Sequence, residues 1–179
     1  MSEYKIASRY AKALFDKAVE DNVLDAVKTD IEHLLLITSE SREFVLFLNS
    51  PLYKMTAKKG AINKLFESAN PLTKGVFALM VEKFRESFIP AMGRAFIQMY
   101  NRKNQIVEAI ITSAVTLEAS EIKRIENYII EQTQAKSVLM NQLIDKEIIG
   151  GITIEFDGKI YDNTIISQLN KVKKELQIA

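Results

Sequence analysis

The sequence contains no cysteine and a single histidine, and these absences exclude several kinds of chemistry. Without thiols the chain has no disulfide, no thiolate nucleophile and no cysteine-ligated zinc or iron–sulfur centre. A Ser-His-Asp arrangement would have to be built on His33, and a metal site with several histidine ligands is impossible. His33 follows Glu32 on a predicted helix, where an ordinary helix-surface histidine is the better interpretation. The sequence therefore predicts no catalytic residue, no metal site and no cofactor.

An excess of one charge and long apolar runs are also missing. The 24 basic and 23 acidic residues give a net charge of +1, which leaves no overall electrostatic footprint for nucleic acid or anionic lipid. No apolar run approaches the roughly 20 residues of a membrane helix, so membrane association is expected to be indirect. The N-terminal segment carries charges throughout and lacks the apolar core of a secretory signal, and Glu3 and Asp16 count against a transit peptide, which favours a bacterial source. The 179 residues suit one large or two small domains.

The first part of the chain has the pattern of a helical bundle. From about residue 3 to residue 103, apolar residues recur at helical spacing and predict six helices. Asn70 and Pro71 have the form of an N-cap followed by proline in the first turn of the fifth helix. The sixth helix ends in a polar, charged stretch, which marks the expected domain boundary. We therefore expect an all-helical domain over residues 1–104.

The pattern changes after Gln105, where β-branched residues cluster in QIVEAIITSAV and predict a strand. A helical segment and an alternating segment, SVLMNQLID, follow. Two further strands are predicted around a hairpin turn at Asp157-Gly158, because this turn requires positive φ. A last helix is capped by Asp162 or Thr164. The fold class is therefore mainly α with two domains, a six-helix bundle and a small α/β domain, residues 105–179, with the order β-α-β-β-β-α.

Two adjacent glycines, Gly150 and Gly151, raise the question of a phosphate-binding loop. Neither a Walker sequence nor G-x-G-x-x-G is present. Phosphate loops also lead into a helix N-terminus, whereas these glycines lead into a predicted strand. A backbone role is the better interpretation, at a bend where a side chain would not fit. The bend is expected to start the hairpin and to position the last helix as a docking surface.

Two surface features allow more than one interpretation. The first helix is apolar over more than one narrow stripe, since Ile6 and Tyr10 widen the face formed by its small residues. It is either a central bundle helix buried on several sides or one wall of a groove for an incoming amphipathic helix. Lys171, Lys173 and Lys174 in the last helix fit either the helix dipole or a rim for an acidic partner segment.

Two sequence blocks together resemble a known family. ASRYAKALFDKA near the N-terminus and DKEIIGGITIEFDGKIYDNTIISQL near the C-terminus are similar to the delta subunit of bacterial F-type ATP synthase. That family is related to the mitochondrial oligomycin-sensitivity-conferring protein, and the resemblance extends over essentially the whole chain. The family's usual Asp-Gly-Ser is Asp162-Asn163-Thr164 here. Asn also tolerates positive φ, and Thr can replace Ser as a cap.

The resemblance implies a mechanical and non-enzymatic function. The subunit would sit at the top of the peripheral stalk and join the catalytic head to stalk subunit b. The head would then resist the torque of the central shaft, and ion flow would remain coupled to ATP synthesis. One copy per complex is implied, with no nucleic-acid partner. The complex would hold it at the cytoplasmic face of a bacterial inner membrane.

The resemblance also implies two partner surfaces. The N-terminal bundle would take up the amphipathic N-terminal segment of an alpha subunit between its first and fifth helices. The C-terminal domain would contact subunit b. The matching residues for the alpha segment are Ile6, Tyr10, Ala13, Leu14, Phe77, Met80, Val81 and Phe84. Those for subunit b are Ile165, Leu169, Lys171, Lys173 and Lys174.

Two other classes of function are alternatives. Small helical bundles also serve as RNA-binding or antitermination-like adaptors, and a salt-dependent RNA affinity would be their signature. A small α/β enzyme is the third class, and its turnover would have to survive substitution of His33.

Overall fold

A computed structural model describes residues 3–176 of the chain. The described residues are mainly helical, with one small mixed sheet near the C-terminal end. The helices are α1 (Glu3–Glu20), α2 (Leu24–Glu40), α3 (Arg42–Asn49), α4 (Met55–Leu65), α5 (Pro71–Glu82), α6 (Ile89–Asn104), α7 (Ala119–Thr133) and α8 (Ile165–Glu175). The strands are β1 (Ile106–Ser113), β2 (Ser137–Ile144), β3 (Ile152–Phe156) and β4 (Lys159–Asp162). The predicted order of strand, helix, three strands and helix is confirmed.

The chain divides into two compact units between Tyr100 and Asn101, in the last turn of α6. Each unit has a hydrophobic core of its own. The core of the first unit is built from the inward faces of its helices, and its largest buried side chains include Leu14, Ile31, Leu34, Phe66, Phe77, Met92 and Phe96. The core of the second unit consists of Ala109, Ile111, Ile125, Ile129, Ile154 and Phe156.

Helix α1 buries one face and exposes the other. Ala7, Ala11, Leu14 and Ala18 recur at helical spacing and are fully buried, so they form the stripe that faces the core. Tyr10 is only partly buried against that core. Helix α1 also packs against α2, α5 and the segment that follows α5, while its other residues from residue 4 onward are partly or fully exposed, so both interpretations of its wide apolar face stay open.

The start of α5 is set by its local sequence. The Asn70 side chain accepts a hydrogen bond from the backbone N–H of Leu72 at 2.9 Å, and Pro71 occupies the first turn. The predicted cap is therefore confirmed. Asp30 strengthens this start, since its Oδ2 accepts from the Asn70 N–H at 2.8 Å and from the buried Thr73 hydroxyl at 2.7 Å. These bonds join α2 to the start of α5.

The sheet has the strand order β2-β1-β3-β4. Strands β1 and β2 are parallel and are connected through α7, as parallel neighbours require a crossover. Strand β3 runs antiparallel to both β1 and β4. The β3–β4 turn has positive φ at Asp157 (50°) and Gly158 (70°), which confirms the predicted hairpin. Helix α7 covers one face of the sheet, where Ile125 and Ile129 join its buried residues.

Candidate partner-binding surfaces

Four residues expected to contact the alpha segment lie in the core of the first unit. Leu14, Phe77, Met80 and Val81 are each at most 1% exposed. Helices α1 and α5 pack against each other, so the apolar stripe of α5 meets the bundle's own side chains. These four residues therefore stabilise the bundle and offer no surface to a partner in this conformation, contrary to the expectation of a groove lined by them.

The other four candidates reach the surface of the first unit. On α1, Ile6 and Tyr10 are partly exposed and Ala13 is exposed. The Tyr10 hydroxyl accepts a hydrogen bond from Arg85 Nη1 at 3.0 Å, and the guanidinium carbon lies 5.8 Å from the centre of the Tyr10 ring. This contact joins α1 to the segment that follows α5, next to Phe84. The four residues are thus carried by α1 and by the chain just beyond α5.

Phe84 does not lie on α5, although the sequence pattern placed it on that helix. Helix α5 ends with a Schellman motif, in which the Phe84 N–H donates to the Val81 carbonyl at 3.1 Å and the Arg85 N–H donates to the Met80 carbonyl at 2.8 Å. The motif requires a left-handed residue, and Phe84 has φ 56°. Its side chain therefore leaves the helical stripe and is 76% exposed.

Helix α8 displays an exposed apolar stripe in the second unit. Ile165, Leu169, Val172 and Leu176 follow one another at helical spacing, and all four are exposed. Lysines 171, 173 and 174 are also exposed and lie beside this stripe in the sequence. A helix that buries one apolar face is ordinary, whereas one that exposes such a face is typical of a protein–protein contact.

The start of α8 is held by a compact hydrogen-bond network. Thr164 is the N-cap, and its hydroxyl accepts from the Ser167 N–H at 3.3 Å. The Asp162 carboxylate accepts from the Ser167 hydroxyl at 2.6 Å and from the Thr164 N–H and hydroxyl at 2.9 and 2.7 Å. The Ser167 bond, with the two from Thr164, holds the pKa of Asp162 below its usual value. Asn163 does not use positive φ, so its tolerance for that conformation is not needed here.

The glycine pair, Gly150 and Gly151, contacts the same start of α8. Gly151 has φ 79°, and a Cβ there would lie 2.2 Å from the Asn163 carbonyl oxygen. A Cβ on Gly150 would lie 2.8 Å from Ile165 Cδ1, and the Gly150 carbonyl accepts from the Ile165 N–H at 3.0 Å. The glycines therefore let the chain before β3 pass directly against the start of α8. Their predicted architectural role is confirmed.

The described residues carry neither a metal-binding cluster nor a membrane-spanning helix. Across residues 3–176, no group of three histidine, aspartate or glutamate side chains is arranged to hold a metal ion. None of the helices in that range is both long and apolar enough to cross a membrane.

Comparison with known proteins identifies the family. A family model described as ATP synthase delta (OSCP) subunit matches residues 6–176. The chain belongs to this family. The ATP synthase subunit delta of Lysinibacillus sphaericus is 30% identical over 176 residues, which cover 98% of this chain and 99% of the relative. That of Clostridioides difficile is 28% identical over 173 residues, which cover 96% and 95%.

A solved structure supports the fold of this delta-family chain. One chain of the cryo-EM structure of the Toxoplasma gondii mitochondrial ATP synthase hexamer matches it with a TM-score of 0.77 and 20% identity. The match covers 97% of this chain and 98% of that chain. As a member of the delta (OSCP) family, the protein is a peripheral-stalk subunit of ATP synthase, as the two sequence blocks predicted. The alternative of an RNA-binding adaptor is not favoured.

Sequence reasoning missed several exposed apolar residues of this delta-family chain. Leu52 and Tyr53 lie exposed in the loop between α3 and α4. Leu139 and Leu143 are exposed on β2, on the face of the sheet that α7 leaves uncovered. An apolar pair in a loop directly after Pro51 was a visible signal for the first group. The segment that forms β2 has apolar residues at both odd and even positions, so it places apolar side chains on both faces of the sheet, and this was a visible signal for Leu139 and Leu143.

Proposed function

We propose that this peripheral-stalk subunit is a non-catalytic coupling that joins the catalytic head of the synthase to stalk subunit b. The observation that carries the proposal is that the delta-family match runs through both compact units, from residue 6 to residue 176. Each unit has its own core and presents exposed apolar residues of its own. A coupling under torque needs two attachments, and a chain with two separately stabilised units provides them.

The first attachment, in this proposal, is to the N-terminal segment of an alpha subunit. An amphipathic helix would lay its apolar side against the surface formed by Ile6, Tyr10, Ala13 and Phe84, which we call the alpha surface. The hydrogen bond between Tyr10 and Arg85 supports the proposal, because it holds α1 and the segment after α5, which together form the alpha surface, in a fixed relative position. Fixing contact groups before binding lowers the entropy lost on association. The four buried candidates described above do not contact the alpha segment in this proposal, and they stabilise the helical bundle that carries the alpha surface.

The second attachment is to subunit b through α8. The exposed stripe with Ile165 and Leu169 supplies apolar area, and Lys171, Lys173 and Lys174 supply positive charge beside it. An amphipathic segment of subunit b with acidic residues would complement both features. The glycine pair and the Asp162 network hold the start of α8, so that this helix presents its stripe from a fixed base.

The proposed role requires no catalytic residue, cofactor or nucleic acid. One copy per complex suffices, because a single stator connection holds the head against rotation. The subunit would be peripheral to the membrane, at the cytoplasmic face of a bacterial inner membrane, and would be kept there by its partners. The nearly balanced charge of the chain agrees with the proposed absence of a nucleic-acid partner and with indirect membrane attachment.

The proposal is tested by placing a charge on the alpha surface without touching the core. Ala13 is an exposed residue of α1, so Ala13→Glu should leave the thermal unfolding temperature unchanged. Binding of a synthetic peptide of the alpha N-terminal segment should weaken at least about tenfold, because the carboxylate would be desolvated without a partner. The measurement is a titration calorimetry series on the full chain.

Ala26→Glu is the matched control, since Ala26 is an exposed alanine in α2, where an acidic residue near a helix start is favourable. It should bind the peptide as the unaltered chain does. Equal affinities for both variants would show that the alpha segment does not bind at this surface.

A further inference from the structure

Strand β2 is an unprotected edge of the sheet in the second unit. It stands at the end of the strand order β2-β1-β3-β4, and no strand of residues 3–176 pairs with its other side. An edge strand presents a row of unpaired N–H and C=O groups, which proteins usually protect with charges, proline, a bulge or a short length. Strand β2 has eight residues, SVLMNQLI, without charge or proline, and its pairing with β1 runs without a bulge. None of these protections is present along β2.

The opposite edge of the same sheet is protected. Strand β4 has only four residues, and it begins and ends with the charged residues Lys159 and Asp162. The Asp162 carboxylate is also engaged at the start of α8, where it accepts hydrogen bonds from Thr164 and Ser167. The two edges therefore differ in length and in charge, and β2 is the edge that can accept an added strand.

The side chains of β2 limit what kind of strand fits beside it. Met140 pairs with the buried Ala109 of β1, so the even-numbered residues of β2 lie on the face that α7 covers. Leu139 and Leu143 lie on the uncovered face and are 54% and 55% exposed, with the exposed Asn141 between them. A charged strand would leave its charges without partners at this uncharged edge. The edge is therefore complementary to an uncharged strand that is apolar apart from a central polar residue.

A second copy of β2 has this composition, and two-fold symmetry sets which residues meet. In an antiparallel pair, two opposite residues exchange their hydrogen bonds, as a two-fold axis requires. An axis normal to the sheet keeps the same face upward in both copies, so odd-numbered residues meet odd-numbered ones. The register centred on Asn141 places Leu139 of each copy opposite Leu143 of the other. A register centred on Met140 would place Leu139 opposite Asn141, so the first register is the better complement.

We propose that the free chain forms a symmetric dimer by antiparallel pairing of two β2 strands in the register centred on Asn141. Leu139 and Leu143 of the two copies form two cross-strand pairs on the uncovered face. The two Asn141 side chains, which both donate and accept hydrogen bonds, meet between these pairs. The joined sheet ends in a protected β4 edge on both sides, so association stops at two copies. The dimer is a state of the free chain, and it does not rest on the function proposed above.

The dimer is weak, because a single pair of strands is a small interface. Eight residues span about 26 Å, and pairing along this length buries less than the roughly 1,200 Å² at the lower end of stable complexes. We therefore expect a dissociation constant between about 10 µM and about 1 mM. Sedimentation equilibrium of the full chain, at concentrations from about 10 µM to about 2 mM, measures it.

A lysine on each edge strand tests which edge pairs. Leu143→Lys should weaken dimerisation at least about tenfold, because a charged side chain on an edge strand opposes pairing. Leu143 is 55% exposed, so the change removes little packing within the chain. Ile160→Lys is the matched control, because Ile160 is an exposed apolar residue of the other edge strand, β4. This control should dimerise as the unaltered chain does.

Residue 141 tests the register, because it meets its own counterpart only in the proposed pairing. Asn141→Asp places two carboxylates opposite each other, and Asn141→Lys places two ammonium groups there. Each variant alone should therefore dimerise at least about tenfold more weakly than the unaltered chain. An equimolar mixture of the two variants should dimerise more tightly than either one, because opposite charges then meet. Asn141 is exposed, and circular dichroism of each variant shows that the fold is kept.

Three results would overturn the proposal. A chain that stays monomeric at the highest concentration would show that β2 does not pair with a second copy. Equal weakening by Leu143→Lys and Ile160→Lys would show that β2 is not the interface. A mixture that dimerises no more tightly than its two components would show that residue 141 does not meet its counterpart.

Discussion

Phe84 combines two costs at one residue. A left-handed conformation is unfavourable for a side chain with a Cβ, by about 1–2 kcal/mol, and glycine is the usual residue at this point of a Schellman motif. The ring is also largely exposed to water. Residues held in strained backbone conformations are found preferentially at functional sites. Phe84 is therefore the residue at which stability and binding are expected to oppose each other.

Phe84→Gly should stabilise the protein and weaken partner binding. Glycine relieves the strain at φ 56°, so the free energy of unfolding should rise by up to about 1 kcal/mol. Binding of the alpha peptide should weaken because the aromatic contact is lost. Chemical denaturation and peptide titration measure the two effects. Phe84→Ala removes the same ring but keeps the Cβ, so it should weaken binding without a gain in stability. A gain of equal size in both variants would contradict the role assigned to strain.

The sequence predicted the backbone role of Gly150 and Gly151 but not the reason for it. The absence of a Walker pattern and the strand that follows were enough to predict a backbone role. The obstacle itself, the Asn163 carbonyl against Gly151, lies twelve positions along the chain. Such an obstacle arises only when β3 and β4 fold back on each other, so the sequence could indicate a close approach without showing what is approached.

At the scale of elements, α8 is the clearest case, among residues 3–176, of a helix whose apolar stripe is left exposed. Its apolar stripe has the same spacing as the stripe of α1, yet one is exposed and the other is buried. Burying such a stripe contributes roughly 25 cal/mol for each Å² of apolar area removed from water. Leaving the stripe exposed forgoes that contribution, which a partner covering it would restore in the proposed complex.

Leu169→Asp should weaken docking of subunit b without unfolding the second unit. Leu169 is 54% exposed, so its replacement removes little packing within the chain. A carboxylate in the centre of the stripe would be buried unpaired on binding, and affinity for a soluble segment of subunit b should fall at least about tenfold. Asn170→Asp adds the same charge at the next, exposed position and should have a small effect. Similar losses in both variants would indicate a general charge effect and would remove α8 from the docking surface.

At the scale of the whole molecule, the two units are expected to act as separate attachments. A chain that ends at residue 104 keeps α6 complete, with its buried residues Ile89, Met92 and Phe96, and keeps every residue of the first core. This fragment should fold with the helical circular dichroism of the first unit and should bind the alpha peptide with unchanged affinity.

The same fragment should no longer attach to subunit b, which a pull-down with the soluble stalk measures. The full chain is the reference for both activities. Retention of normal stalk binding by residues 1–104 would show that the division between head and stalk attachments is wrong. Loss of alpha-peptide binding from a folded fragment would show that the second unit contributes to that site.

The sequence by itself determined the family, the order of the elements and the turns. Those features depend on residues that are near one another in the chain, such as Asn70 before Pro71, or Asp157 before Gly158. Only the tertiary structure decided which apolar residues are core and which are surface. Helical spacing has the same form whether a stripe faces the chain's own core, as at Phe77, or the surface, as at Leu169. The exposure of a stripe depends on which helices meet, and that is a property of the folded molecule.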